Sequence, residues 1–107
     1  EIMPSLVGSE MCIRDSHYHE TDEEVFYIIS GTGIVRTING DVTVKAGDAI
    51  TFPAGPEGAH VIRNGSDTEK LVYIDFDTNN LPEIVHFPDT NQVMAYGKFS
   101  NGIYDKK

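Results

Sequence analysis

Short runs of β-branched and aromatic residues, separated by turn-forming residues at close spacing, follow one another along most of this chain. Residues 24–30 (EVFYIIS) are rich in β-branched and aromatic side chains and predict a strand. Gly31-Thr32-Gly33 break it, and residues 34–38 predict a second strand. Asn39-Gly40 then predicts a two-residue hairpin turn, because both residues tolerate positive φ. Residues 41–44 return, Ala46-Gly47-Asp48 turn again, and residues 49–52 form the next strand. The segment 53–58, with two prolines and two glycines, must be a loop. Residues 60–63 predict a short strand, Asn64-Gly65-Ser66-Asp67 a turn, and residues 71–76 the longest clear strand. Asn79-Asn80 and Pro82 mark a loop, residues 84–87 an edge strand, and the polar residues 100–107 a frayed end. No window carries a convincing apolar period of 3.6 residues. The pattern is that of an all-β sandwich or barrel.

Composition narrows the function classes. A chain of 107 residues makes one small domain with one core. No apolar run approaches the roughly 20 residues that span a bilayer, and no signal-peptide pattern is visible. The net charge of −9 disfavours nucleic acid and anionic membranes as partners. A single cysteine, Cys12, excludes an internal disulfide and fits a reducing, cytoplasmic compartment.

Residues 6–16 (LVGSEMCIRDS) resemble the translation of a transposase adaptor used to prepare sequencing libraries. The expectation is that residues 1–16 are a truncated or foreign-looking segment. The native N-terminal strand or strands would then be missing, and Cys12, Arg14 and Asp15 would carry no function. Residues 17–99 would form the barrel and residues 100–107 a tail.

The candidate chemistry begins at His17-Tyr18-His19. On an extended chain, residues two apart face the same side, so the two imidazoles converge. Glu24 opens the next strand, where a turn can bring its carboxylate back beside them. His60 starts the strand that leaves the Pro/Gly loop. Each signal alone also fits a bland role: a surface histidine pair, a solvated acidic turn, a hydrogen-bonded core histidine. Together, three imidazoles and a carboxylate suit a borderline divalent metal: iron, manganese, nickel, copper, cobalt or zinc.

The joint spacing resembles a known family. His17-x-His19-x4-Glu24-x6-Gly31 is similar to the first cupin motif, and Gly47-x5-Pro53-Ala54-Gly55-x4-His60-x3-Asn64 to the second. The resemblance implies a double-stranded β-helix, or jelly-roll barrel, with metal inside, held by His17, His19, Glu24 and His60. It makes Gly31, Gly47, Gly55 and Asn64 turn residues. Two departures stand out: Met11 occupies the position of a usual glycine, and four residues, Pro56 to Ala59, replace the usual two before His60. His86 lies outside both motifs and is expected to be structural or at the surface. Tyr18, Phe26, Tyr27, Phe52 and Tyr73 fit either a pocket lining or a packed core.

The resemblance implies a metal-dependent enzyme carrying out dioxygenation, isomerisation or decarboxylation, and the expectation is a dioxygenase-like reaction on a small organic substrate that ligates through oxygen. A non-catalytic small-molecule binder or sensor, a cupin isomerase, and a metal-free sugar-binding or structural cupin are the alternatives. It also implies a homodimer. No nucleophile–base motif or phosphate-binding glycine loop is present, and no catalytic residue beyond the metal ligands is assigned.

Overall fold

A computed structural model describes residues 2–8, 16–97 and 101–106. Among these the strands are β1 (Ile2–Gly8), β2 (Tyr18–His19), β3 (Glu24–Ser30), β4 (Thr32–Thr37), β5 (Gly40–Lys45), β6 (Ala49–Phe52), β7 (His60–Asn64), β8 (Val72–Thr78), β9 (Glu83–Phe87), β10 (Gln92–Tyr96) and β11 (Asn101–Asp105). One short 3-10 turn, Pro56–Gly58, is the only helical segment among the described residues.

Among the described residues, all strand pairings are antiparallel. One sheet has the order β1-β8-β3-β6. The orders β11-β10-β9-β2 and β5-β4-β7 form two further sheets. An antiparallel bridge joins these two where His17 pairs with His60: each backbone N–H donates to the other's carbonyl, at 3.1 and 3.0 Å. The result is the expected jelly roll, although the described hydrogen bonds do not close it into a continuous barrel.

Period-two alternation decides what faces inward. Along β3, Glu24, Phe26 and Ile28 are buried while Tyr27 and Ile29 are exposed. The core joins Phe26, Ile28, Val35, Val44, Phe52, Ile62, Leu71 and Tyr73. Phe26, Phe52 and Tyr73 are therefore packing residues. Tyr27 instead faces outward, and Tyr18 stacks on His86, with ring centroids 4.6 Å apart. One end of the interior is apolar and the other collects histidines and carboxylates, since Glu24 and His60 share strand faces with Phe26 and Ile62.

Four local expectations change. The β4–β5 hairpin turns at Ile38-Asn39, and Gly40, with φ 110°, already pairs with Thr37. Thr37 Oγ1 supports that turn by donating to the Gly40 carbonyl and accepting from the Asn39 N–H. Thr32 and Gly33 belong to β4, so the break after β3 is Gly31 alone. Gly31 has φ 84°, and a Cβ there would lie 2.3 Å from the Lys70 carbonyl oxygen, which accounts for glycine. Strand β9 is not an edge, because β10 and β2 flank it. Residues 101–105 form β11 against β10 where a frayed end was expected. Those residues alternate too weakly in polarity to reveal a strand, and the pairing surface comes from β10.

At the N-terminus, β1 pairs with β8 from Ile2↔Thr78 to Gly8↔Val72, so residues 6–8 of the adaptor-like string lie in a strand. Met11, Cys12, Arg14 and Asp15 lie outside the described residues.

Candidate metal centre

Four of the interior polar side chains are those expected from the sequence. His17 and His19 project from opposite ends of a two-residue step, with Tyr18 facing away between them. His17 and Glu24 are buried at 4% and 2% exposure, and His60 at 1%. Glu24 Oε1 is the meeting point: the Nε2 atoms of His17, His19 and His60 lie 3.5, 3.4 and 2.8 Å from it. The Glu24 oxygen and the His17 and His19 nitrogens form a mutually close set, all within 4.8 Å. His60 joins that set through Glu24.

The loop before β7 fixes His60. Its Nδ1 donates to the Gly58 carbonyl at 2.7 Å, which turns the other ring nitrogen, Nε2, toward Glu24. Phe52 stacks on the same ring, with centroids 3.6 Å apart at 12°. The longer spacing between Gly55 and His60 is absorbed by the 3-10 turn, in which Gly58 N–H bonds the Gly55 carbonyl. His60 therefore still reaches the interior.

These groups fit a shared cation better than they fit one another. Glu24 Oε1, His60 Nε2 and both ring nitrogens of His19 are buried with no hydrogen-bond partner. Leaving such atoms unmade costs about 1–3 kcal/mol each. Ligand atoms on bonds of about 2.1 Å stand roughly 3.0–3.4 Å apart in octahedral to tetrahedral geometry. The observed spacings of 2.8–3.5 Å bracket that range.

The electrostatics agree. Burial works against ionised Glu24, yet contacts with His17, His19 and His60 outweigh it and hold the carboxyl well below its usual range. Burial likewise opposes charge on His19, but Glu24 first, then Asp77 and Glu83, raise its pKa overall.

Three further carboxylates were not anticipated. Asp75 and Asp77 project inward from β8, on the same strand face as Tyr73, and β8 lies beside β3. Glu24, Asp75 and Asp77 each offer an oxygen within 4.8 Å of the others. Burial, then the proximity of Glu24, pushes Asp75 up to about 9 and Asp77 up to about 7. Alternating acids within a strand, two apart and in step with a buried tyrosine, were the available signal. Glu83, at 3% exposure, accepts backbone N–H bonds from Thr21, Asp22 and Ile84 and lies 3.7 Å from His19 Nδ1. These bonds outweigh burial and lower its pKa. Nothing in the local sequence marks Glu83.

A cavity of about 260 Å³ opens beside the cluster, lined by the His17–His19–Glu24 group, Asp75 and Asp77, with Val85, Phe87, Met94 and Tyr96 as its apolar wall. That is smaller than the ~300–1,000 Å³ typical of drug-sized sites. His86 takes no part: it lies beside Tyr18 with its Nε2 2.6 Å from Glu20, as its position outside the motifs implied.

The family model of the cupin domain matches residues 8–77. The chain belongs to the cupin family. An uncharacterised protein of Methanocaldococcus jannaschii is 40% identical over 58 residues, covering 54% of this cupin and 42% of the relative. The oxalate-binding protein of Thermotoga maritima is 36% identical over 53 residues, covering 50% of this chain and 42% of that one. This cupin thus spans less than half the length of these curated relatives. The crystal structure of a cupin-superfamily sugar phosphate isomerase from Silicibacter pomeroyi superposes with TM-score 0.89 at 19% identity, covering 99% of this chain and 68% of that one. At that identity the likeness concerns the fold alone.

Proposed function

We propose that this cupin binds a divalent transition metal through His17, His19, Glu24 and His60 and uses it on a small organic molecule that ligates through oxygen. The observation that carries this reading is the convergence of three imidazole nitrogens on one buried carboxylate oxygen, several of these atoms lacking any other partner. Such a metal supplies Lewis acidity and, as iron, the capacity for dioxygen chemistry. The protein does the remaining work. The Gly58 carbonyl and Phe52 hold the His60 ring, and Glu83 ties down the 20–23 loop between His19 and Glu24. Val85, Phe87 and Met94 keep the cavity wall apolar, which strengthens electrostatic effects inside.

A dioxygenase-like reaction on a small hydroxylated compound is the activity we favour. The test loads metal-free protein with Fe(II), Mn(II), Ni(II) or Zn(II) and follows oxygen uptake with hydroxylated acids, polyols and phenols. Uptake with iron alone supports the oxidative reading. A second reading, a non-catalytic binder, draws on the oxalate-binding relative. Tight reversible binding of one compound without turnover on any metal selects it. Metal analysis precedes both: the wild-type protein is expected to hold about one equivalent of metal, and His60→Ala to lose most of it. Unchanged stoichiometry in His60→Ala removes that histidine from the ligand set.

The same reading takes the protein as a cytoplasmic homodimer, the dimer supported by exposed Tyr27 and Ile29 on the outer face of β3. Light scattering in solution tests the dimer. No helix among the described residues is long and apolar enough to cross a membrane.

A further inference from the structure

We propose that Glu83 is a positioning residue of the metal centre: its carboxyl group accepts the Nδ1 hydrogen of His19 and so orients the ring that offers Nε2 to the metal. The inference rests on the metal-centre reading above and deepens it with a residue that lies outside both motifs. His60 has its Nδ1 held by the Gly58 carbonyl at 2.7 Å. His19 has no partner that close: both its ring nitrogens are buried without a hydrogen bond. Its Nε2 lies 3.4 Å from Glu24 Oε1 and its Nδ1 3.7 Å from Glu83 Oε2. A neutral imidazole carries one N–H and one lone pair. Coordination through Nε2 therefore leaves the hydrogen on Nδ1, out of reach of water, where a donor without an acceptor is costly. Glu83 Oε2 supplies the acceptor. The 3.7 Å separation exceeds an N–H···O bond, which extends to about 3.2 Å, by roughly 0.5 Å, and a small ring rotation closes that gap. Histidine ligands commonly donate their second nitrogen in this way.

The fold makes Glu83 a fixed reference. Strand β2 pairs with β9, with His19 opposite Val85, and Glu83 lies two residues along β9 on the same face. Three backbone donors hold its side chain: Thr21 and Ile84 donate to Oε1 at 3.0 and 2.8 Å, and Asp22 donates to Oε2 at 2.7 Å. The Thr21 N–H reaches Oε2 only at 3.3 Å, so Oε2 retains room for a second donor. At 3% exposure the carboxyl group cannot turn away into solvent. His19, Asp22 and Glu83 each offer a ligand atom within 4.8 Å of the others, and a second metal on that trio is the competing arrangement. The backbone donors already occupy much of the Glu83 carboxyl group, which favours a histidine N–H there over a cation.

The experiment titrates metal-free wild type, Glu83→Gln and Thr78→Val with Co(II), reading affinity, stoichiometry and the visible spectrum of the bound ion. Glutamine has one acceptor oxygen where Glu83 uses two, and the Thr21 and Ile84 donors claim it. Thr78 accepts the Glu23 N–H and donates to Asp22, so Thr78→Val loosens the same loop without touching His19 or Glu83. Glu83→Gln is expected to lower Co(II) affinity about 10–100-fold and to alter the spectrum, because His19 no longer holds one orientation. Thr78→Val is expected to keep both, whatever stability it loses. Wild-type affinity and spectrum in Glu83→Gln overturn the proposal, as do equal losses in the two variants, which would make loop anchoring the whole effect. A second equivalent of Co(II) in wild type that Glu83→Gln loses makes Glu83 a ligand and overturns the positioning role. Where Glu83→Gln does not fold, nuclear magnetic resonance of the Zn(II)-loaded wild type reads the same point. The His19 proton is expected on Nδ1 and slow to exchange; a proton on Nε2 overturns the proposal. A wild-type protein that binds no Co(II) refutes the metal centre and this proposal with it, whereas normal uptake with an indifferent Glu83→Gln refutes this proposal alone.

Discussion

Gly58 shows how one residue can orient a proposed metal ligand without being one itself. Its carbonyl receives the His60 Nδ1 proton, and its Cα lies so close to Pro53 that a Cβ would sit 1.9 Å from the Pro53 carbonyl oxygen. No rotamer change relieves a clash with backbone, so the 3-10 turn itself must shift. Gly58→Ala is expected to destabilise the protein by about 1–3 kcal/mol. It should also weaken metal binding, because the shifted turn moves the carbonyl to which the His60 ring donates. Urea unfolding together with metal titration checks both. A variant that loses stability but keeps wild-type metal affinity shows that the turn does not orient His60. His60 itself was legible from motif spacing; Gly58 was not, because its constraint comes from Pro53 across the loop and not from a neighbour in a strand pattern.

At the scale of elements, the centre depends on four strands, β2, β3, β6 and β7, and one backbone bridge. Strand β3 supplies Glu24, the His17↔His60 bridge holds two imidazoles side by side, and β6 ends on Phe52 against His60. Phe52 is paired across from Glu24 in the β3–β6 register and is buried at 5%. Its ring also packs edge-on against Phe26. Phe52→Ala removes the face on which His60 rests and leaves a cavity in the core. It is expected to cost about 3–5 kcal/mol, measured by denaturant unfolding, and to lower metal affinity. Phe52→Leu keeps most of the volume and should recover stability more than metal affinity. Equal recovery of both would mean that Phe52 acts as filler alone. The strands that build this arrangement were readable, since β-branched and aromatic runs bounded by turn residues located β3 through β8 to within a few positions. Strands β10 and β11 were not, because short polar runs such as 101–105 gain strand character only from the partner they pair with.

Across the whole molecule, the polar end of the interior makes stability depend on pH in a way that metal should reverse. Pattern reading located the His–Glu centre, but it could not see how many carboxyl groups the folded sheets bring beside it. Glu24 comes from β3, Asp75 and Asp77 from β8, and Glu83 from β9, far apart in sequence. In the metal-free protein, Asp75 and Asp77 have pKa values raised from 3.8 to about 9 and about 7. Between the unfolded and folded values, the native state binds more protons than the unfolded chain, so stability falls as pH rises. His19 acts in the same direction, because its pKa is raised from 6.5 and its contribution is lost as the ring deprotonates. Glu24 and Glu83 act in the opposite direction: their values lie below 4.5, so their contribution is present above that pH and fades on acidification. The metal-free protein is therefore expected to be most stable in mildly acidic solution and to lose Tm steadily between about pH 6 and 9. A divalent cation on Glu24 reduces the repulsion that keeps protons on the aspartates, and it needs deprotonated ligands. Metal-loaded protein should then gain most over the metal-free form at neutral to alkaline pH. Calorimetric Tm values for both forms across this range test the account. A metal-free protein whose Tm rises from pH 6 to 9 would show that Asp75 and Asp77 are not held protonated beside Glu24.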